Sequence, residues 1–301
     1  LPATAKPRPG WADGAVAEGA APGQSRPPAP GTRGRRPADP MPQQVQPMLA
    51  RSASQPFDDP RYLFEPKWDG LRAVAFRTEG SVWLQSRRGS RLEPAFPEIA
   101  RGLAGLDGPA RIILDGEVIV PGTDGRPSFE LALARLRRRS PAPAGQAPPR
   151  WPAVLMAFDL LYWDCRDLRL RPLRLRRRLL ARWAAGWPPD GPVRLSPGVV
   201  GRGTYVFAEF RRLGLEGMVA KRLDSPYRSG RSESWLKVKA FEERVFVIGG
   251  FVPDGASSLR SVLVASPQPG PPRDPGGLAG LVGSGLAAQQ RVRLRARLEA
   301  L

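Results

Sequence analysis

Several apolar runs in this chain carry charge in their middles, and that placement limits the folds open to it more than any other feature. Leu114-Asp115-Gly116-Glu117 lies inside the β-type run from Arg111 to Val120, and Phe158-Asp159 lies inside the run from Ala153 to Trp163. Glu216 heads Gly217-Met218-Val219-Ala220-Lys221, and Lys237 and Lys239 sit two apart in Trp235-Leu236-Lys237-Val238-Lys239, hence on one face of a strand. Burying such groups without partners is costly, so the strands are expected to converge and present them to a common ligand. Carboxylates and amines gathered in this way suit a polyphosphate with its divalent cation: the amines face phosphate oxygens and the carboxylates hold the metal.

Lysine usage sharpens the reading. Of 47 Lys and Arg, the only lysines are Lys6, Lys67, Lys221, Lys237 and Lys239, so positive charge alone is otherwise supplied by arginine. A deprotonated lysine amine is a nitrogen nucleophile, whereas arginine stays protonated. Lys67 stands in Glu65-Pro66-Lys67-Trp68-Asp69-Gly70-Leu71-Arg72, directly after the apolar lead-in Tyr62-Leu63-Phe64. Asp69-Gly70 is turn chemistry, Trp68 reads as packing, and Lys67 is taken as the reactive residue.

Composition sets the outer bounds. With 301 residues, 41% hydrophobic, 8 Trp and 11 Phe, most of the chain is expected to be globular. A net charge of +19 points to a polyanionic partner, nucleic acid first. There is no histidine and a single cysteine, Cys165, which excludes His and Cys metal sites, internal disulfides and histidine-based triads. Any metal must take oxygen ligands, as Mg²⁺ or Mn²⁺ does. No apolar run of about 18 residues and no leader pattern is present, so the chain is expected to be cytoplasmic and without membrane association.

Residues 1–44 are rich in Pro, Ala, Gly and Arg and are expected to be disordered, with Met41 either the true start or part of a linker from an upstream module. Residues 45–240 read as one domain and 241–301 as a second. Within the first, Ala73–Phe76 and Val82–Leu84 form a hairpin about Glu79-Gly80, and Pro94–Leu103 and Phe129–Leu136 are helices. The 111–120 strand is expected to break at Asp115-Gly116-Glu117. Ser140–Pro152 is a loop. A helix opens at Pro172 with Leu175, Leu179 and Trp183 as its stripe and Arg174, Arg176, Arg177, Arg178 and Arg182 on its other faces. Tyr205–Leu213 is a further helix. After position 240, strands at 244–251, 260–265 and 278–282 precede a helix with Leu294, Leu298 and Leu301 on one side.

The ordered set Lys67-x-Asp-Gly-x-Arg72, Ser86-Arg87-Arg88-Gly89, Asp115-Gly116-Glu117, Phe158-Asp159, Glu216 to Lys221 and Trp235 to Lys239 resembles the covalent nucleotidyltransferases. Within them it is most similar to the ATP-dependent DNA ligases of bacterial end-joining systems, through Pro47-Met48-Leu49-Ala50, Glu65-Pro66 and Ser225-Pro226-Tyr227-Arg228-Ser229-Gly230-Arg231. The resemblance implies an α+β fold, an antiparallel-sheet nucleotidyltransferase (adenylation) domain followed by a truncated OB-fold barrel. It implies ATP and Mg²⁺ (or Mn²⁺) as cofactors and nicked or broken duplex DNA as substrate, with a Ku-like end-binding protein as partner and a monomeric state. Lys67 would attack the α-phosphate and carry AMP, and Glu65 would meet the adenine amino group. Arg72 and Glu117 would face the ribose and phosphate, Arg87 the AMP or DNA phosphate, and Phe158 the adenine ring. Glu216, with Glu117, would bind the metal, and Lys221, Lys237 and Lys239 would hold phosphate oxygens.

Arg135, Arg137, Arg138 and Arg139, together with the helix arginines near 174–182, are candidates for gripping the duplex backbone. Arg88 stands where many relatives place asparagine. The family's barrel runs on past a segment matched by Val282-Gly283-Ser284-Gly285 to a terminal motif that does not follow here, which predicts a fragment or an impaired first step. RNA ligation or capping is an alternative on the same motifs, and a non-catalytic nucleic-acid-binding remnant is another.

Overall fold

The structure is a computed structural model that describes residues 38–138, 152–240, 245–267 and 277–301. Its contacts divide the chain into two compact units, Leu1–Ala240 and Phe241–Leu301. In chain order the first contains β1 (Met48–Ser52), β2 (Tyr62–Pro66), β3 (Leu71–Arg77), β4 (Val82–Ser86), α1 (Pro97–Ala104), β5 (Ile112–Ile119), α2 (Phe129–Arg138) and β6 (Val154–Trp163). It continues with β7 (Arg166–Asp167), α3 (Leu173–Ala184), β8 (Val193–Leu195), β9 (Val199–Val200), α4 (Gly203–Arg212), β10 (Gly217–Arg222) and β11 (Gly230–Lys239).

These strands form two sheets. One has the order β1-β11-β10-β2-β9; the other follows β4-β3-β5-β6-β7, with β8 on β6. Pairing is antiparallel, as expected, except at β1 with β11 and β6 with β8, which are parallel. Strand alternation sorts side chains between layers. On β3, Ala73 and Ala75 face a core completed by Phe96, Ile99, Leu103 and Leu180, while Val74 and Phe76 face a second core shared with Met48, Phe158, Tyr227 and Trp235. That second core lies between the sheets. The outer face of the β10 sheet is covered by Val206 of α4, packed with Phe64, Met218, Ala220 and Val238.

Some expectations change. β5 does not break at Asp115-Gly116-Glu117; it runs through, and the adjustment is a register shift against β6 between Asp115 and Gly116. α3 buries Leu173, Arg176 and Leu180 rather than Leu175, Leu179 and Trp183 as its central stripe. The stripe turns because Arg176 has a buried partner, Asp159, both being 0% exposed. Residues 38–44, grouped by composition with the leader, dock on the first unit: the Tyr162 hydroxyl donates to the Asp39 carbonyl (2.7 Å) and the Asp39 N–H to the Cys165 carbonyl (3.0 Å). Positions 1–37, and the expected loop up to residue 151, lie outside the described residues.

The second unit holds β12 (Val247–Asp254), β13 (Ser258–Ala265), β14 (Leu278–Val282) and α5 (Ala288–Glu299). The three strands form an antiparallel sheet in that order. Leu259, Val262 and Val264 pack there with Phe251, Leu286, Leu294 and Leu298, whereas Leu301, expected on the same side, is fully exposed. Among the described residues no helix is long and apolar enough to cross a membrane.

Candidate active site

Lys67 follows β2, and the neighbouring strand fixes its place. The antiparallel register of β10 on β2 sets Val219 opposite Glu65 and Met218 opposite Pro66, and the Lys67 N–H donates to the Gly217 carbonyl at 2.9 Å. Glu216, one residue before β10, therefore meets Lys67, whose ammonium pairs with it. β11 pairs with β10 on the other side, Lys239 opposite Gly217, so Lys239 Nζ reaches the second Glu216 oxygen at 3.0 Å. Two glycines allow this. A Cβ on Gly70 would overlap the Val118 carbonyl, and Gly217, at φ 138°, lies against the Val238 carbonyl. Neither position has room for a larger residue.

A cavity of about 240 Å³ opens between the sheets, lined by Glu65, Lys67, Trp68, Arg72, Arg87, Glu117, Phe158, Lys221, Trp235 and Lys237, among others. Of the ten residues expected to meet the nucleotide or its metal, all but two lie on its wall. Glu216 and Lys239 are the exceptions, and they join the site through Lys67. Burial raises the Glu117 carboxyl from an ordinary 4.5 to about 7; Arg72 and Lys67 oppose the rise, while Asp115 and Glu216 add to it. Burial lowers Lys221 against the pull of Glu65. Burial together with the charges of Lys67, Lys239 and Arg231 lowers Lys237.

Glu65 is 1% exposed. It pairs through one oxygen with Lys221 and through the other with Arg177 Nη2 (3.2 Å), leaving lone pairs on both. The carboxylate is thus neutralised but keeps acceptor capacity. Phe158 is covered by cations, with Lys221 Nζ 3.7 Å and Arg72 Cζ 4.6 Å from its ring centroid. Arg72 is clamped by Asp115, Nε to Oδ1 at 2.6 Å and Nη2 to Oδ2 at 2.7 Å. Arg87 is exposed on the turn after β4 and also lines an adjoining cavity of about 1160 Å³ with Ser86, Arg88, Ser90 and Arg91.

The sequence profile described as the ATP-dependent DNA ligase domain matches residues 47–239, which include every residue lining the smaller cavity. The chain belongs to that family. It is 35% identical over 266 residues to the multifunctional non-homologous end joining protein LigD of Pseudomonas aeruginosa, covering 87% of this chain and 30% of that protein. It is 33% identical to DNA ligase C1 of Mycolicibacterium smegmatis, over 85% of this chain and 73% of the relative. Among solved structures it resembles mycobacterial DNA ligase D complexed with ATP and MES, with a TM-score of 0.57, 31% identity, and 85% and 77% of the two chains covered. The chain spans about a third of the length of its end-joining relatives.

Around the cleft of this ligase domain stand residues to which the sequence assigns no role there. Arg177, one of the α3 arginines expected to grip the duplex backbone, instead reaches Glu65 and donates to the Ser196 carbonyl at 2.8 Å. Asp115 and Tyr227 stood in quoted motifs without a role. Trp68, read as packing, is 6% exposed and donates from Nε1 to Ser196 Oγ at 3.0 Å while lining the cleft. Two further arginines assigned to backbone gripping turn inward. Arg176 is bound to Asp159, and Arg135 ties α2 to α1 through Glu98 at 2.6 Å. Arg139 lies outside the described residues. No periodicity separates a solvated arginine from one that turns inward to a carboxylate on another element.

Proposed function

We propose that this chain is an ATP-dependent DNA ligase that seals nicked or broken duplex DNA through a lysine–AMP intermediate. The observation that carries the reading is the convergence of Lys67 with Glu65, Arg72, Glu117, Phe158, Lys221 and Lys237 on one cavity, in a chain of the ligase family. In the first step the Lys67 amine attacks the α-phosphorus of ATP; a P–N bond forms, the bond to the bridging oxygen breaks, and pyrophosphate leaves. Glu216 is the group in contact with Lys67 and is suited to receive its proton. In the second step the DNA 5′-phosphate attacks the same phosphorus and Lys67 leaves. In the third the 3′-hydroxyl attacks the activated 5′-phosphate, releasing AMP.

Glu65 offers an acceptor to the adenine amino group, and Phe158 an apolar face to the ring. Lys221 and Lys237 meet phosphate oxygens as negative charge builds on them. Glu117 and Glu216 form an all-oxygen donor pair suited to Mg²⁺ or Mn²⁺, with water and phosphate oxygens completing the shell. Bound there, the cation would neutralise charge on the phosphates. As a metal ligand Glu216 would have to give up its pairing with Lys67 and Lys239. Arg87, Arg88 and Arg91 suit the DNA backbone. The second unit, three antiparallel strands and a helix, suits part of an OB-type barrel. End joining by LigD relatives supports a Ku-like partner and a nucleoid setting, with the chain acting as a monomer.

Incubation with α-labelled ATP and Mg²⁺ followed by denaturation should leave label on the protein, and Lys67→Ala should abolish it. Equal labelling of Lys67→Ala would refute the mechanism. Preferential labelling by GTP, or a preference for RNA ends, would move the chain to the RNA ligase or capping class.

A further inference from the structure

Tyr227 lies outside both cavities, 4% exposed, in the segment before β11. Its hydroxyl nevertheless closes a ring of hydrogen bonds around Arg72. It donates to Asp115 Oδ2 at 2.6 Å and accepts from the Met48 N–H at 3.0 Å. Arg72 Nη2 in turn donates to the same Asp115 oxygen at 2.7 Å and to the Met48 carbonyl at 3.0 Å. Asp115 is 0% exposed and holds Arg72 Nε with its other oxygen. Among the described residues nothing accepts from Arg72 Nη1, so its two hydrogens are the ones left for a ligand in the cavity that Arg72 lines.

The ring also ties down a wall of the cleft. Met48 engages it through both its N–H and its carbonyl, and the next two residues of β1, Leu49 and Ala50, line the cavity. A shared carboxylate with two donors on one oxygen and a third on the other is rigid, because each bond polarises the next and displacing one member strands the others in a buried setting.

We infer that the Tyr227 hydroxyl, itself anchored by the Met48 N–H, is a positioning group for nucleotidyl transfer that aims Arg72 through Asp115. This rests on the reading of the cleft as the ATP site. Tyr227→Phe removes one oxygen and keeps the ring, which packs edge-on against Trp235 at 5.9 Å. It leaves the Met48 N–H unsatisfied and Asp115 with one partner fewer.

The test is a double-mutant cycle on the full chain, following the initial rate of lysine–AMP formation against ATP concentration for wild type, Tyr227→Phe, Arg72→Lys and the double variant. Tyr227→Phe is expected to lower kcat/KM about tenfold, mostly through KM for ATP, as suits loss of a hydrogen bond to a charged group. In the Arg72→Lys background, where the bidentate clamp no longer exists, the same change is expected to cost less than about twofold. An undiminished cost in that background, or no effect of Tyr227→Phe in the wild-type background, overturns the inference. If Arg72→Lys is too slow to follow, the cycle is closed on ATP affinity by titration calorimetry, where the same two results support or overturn it. Asp115→Asn, a second variant, carries the same expectations should Tyr227→Phe fold poorly. Absence of adduct in wild type refutes the ligase reading and the inference with it; adduct in wild type with an indifferent Tyr227→Phe refutes the inference alone.

Discussion

Glu117 is where this site stores instability, and replacing it with glutamine should make the empty protein more stable while disabling it. Burial in the cleft raises its carboxyl from 4.5 to about 7, so the folded state holds a proton that the unfolded state has lost over that interval. For an acid whose folded pKa is raised, stability is unaffected below the unfolded value, falls as pH rises between the two, and stays lowered above the folded one. At about 1.4 kcal/mol per tenfold in proton affinity, the penalty above pH 7 is roughly 3 kcal/mol, and partial solvent access at the cleft mouth brings it to about 2. Glutamine mimics the protonated acid and escapes the penalty. For a unit of this size that corresponds to a rise in Tm of about 4–8 °C at pH 8, with no difference near pH 4.5. The assay is thermal melting of wild type and Glu117→Gln across pH 4.5–8.5 without nucleotide or divalent ion, beside lysine–AMP formation at pH 8. Glu117→Gln should melt higher at pH 8 and label far more slowly, the trade expected where a site holds charge against its surroundings. Equal or lower stability of the variant at pH 8 would refute the account of Glu117.

Arg176→Ala strands Asp159 in the core and should cost about 3–5 kcal/mol, read as a fall in Tm of about 10 °C, whereas Arg176→Met with Asp159→Leu should recover most of it. Gly217→Ala forces a side chain at φ 138° against the Val238 carbonyl and should destabilise by about 2 kcal/mol or more, slowing adenylylation because the Gly217 carbonyl holds the Lys67 N–H. Arg87→Ala and Arg88→Ala should each weaken binding to nicked duplex irrespective of sequence and reduce the slope of log K against log salt by about 1; an unchanged slope would remove that arginine from the DNA face.

The chemical inventory of the cleft was legible in the chain. Lys67 stands out because lysine is scarce, and the residues that surround it follow in a fixed order of short motifs. The apolar runs of β3 and β6 and the four-residue spacing of α1 are local signals, carried by neighbours a few positions away, so those elements fall near their expected places. The same local reading failed at α3, where Arg176 and Arg177 look like any other arginines of a basic helix. It also failed at β5, where Asp115-Gly116-Glu117 has the composition of a break but is sustained as strand by pairing on both sides.

By itself the sequence determined which groups are available: one amine with an acid-rich turn, carboxylates within strands, an aromatic beside a carboxylate, and no imidazole or thiol pair. Only the tertiary structure decided how they pair. Asp115 holds Arg72 and Tyr227, Asp159 holds Arg176, and Glu65 lies between Lys221 and Arg177. Each pairing joins different elements of the fold, and each is set by strand register and by depth from solvent. A carboxylate's protonation and the aim of a guanidinium depend on those two quantities, and neither is a property of any stretch of sequence alone.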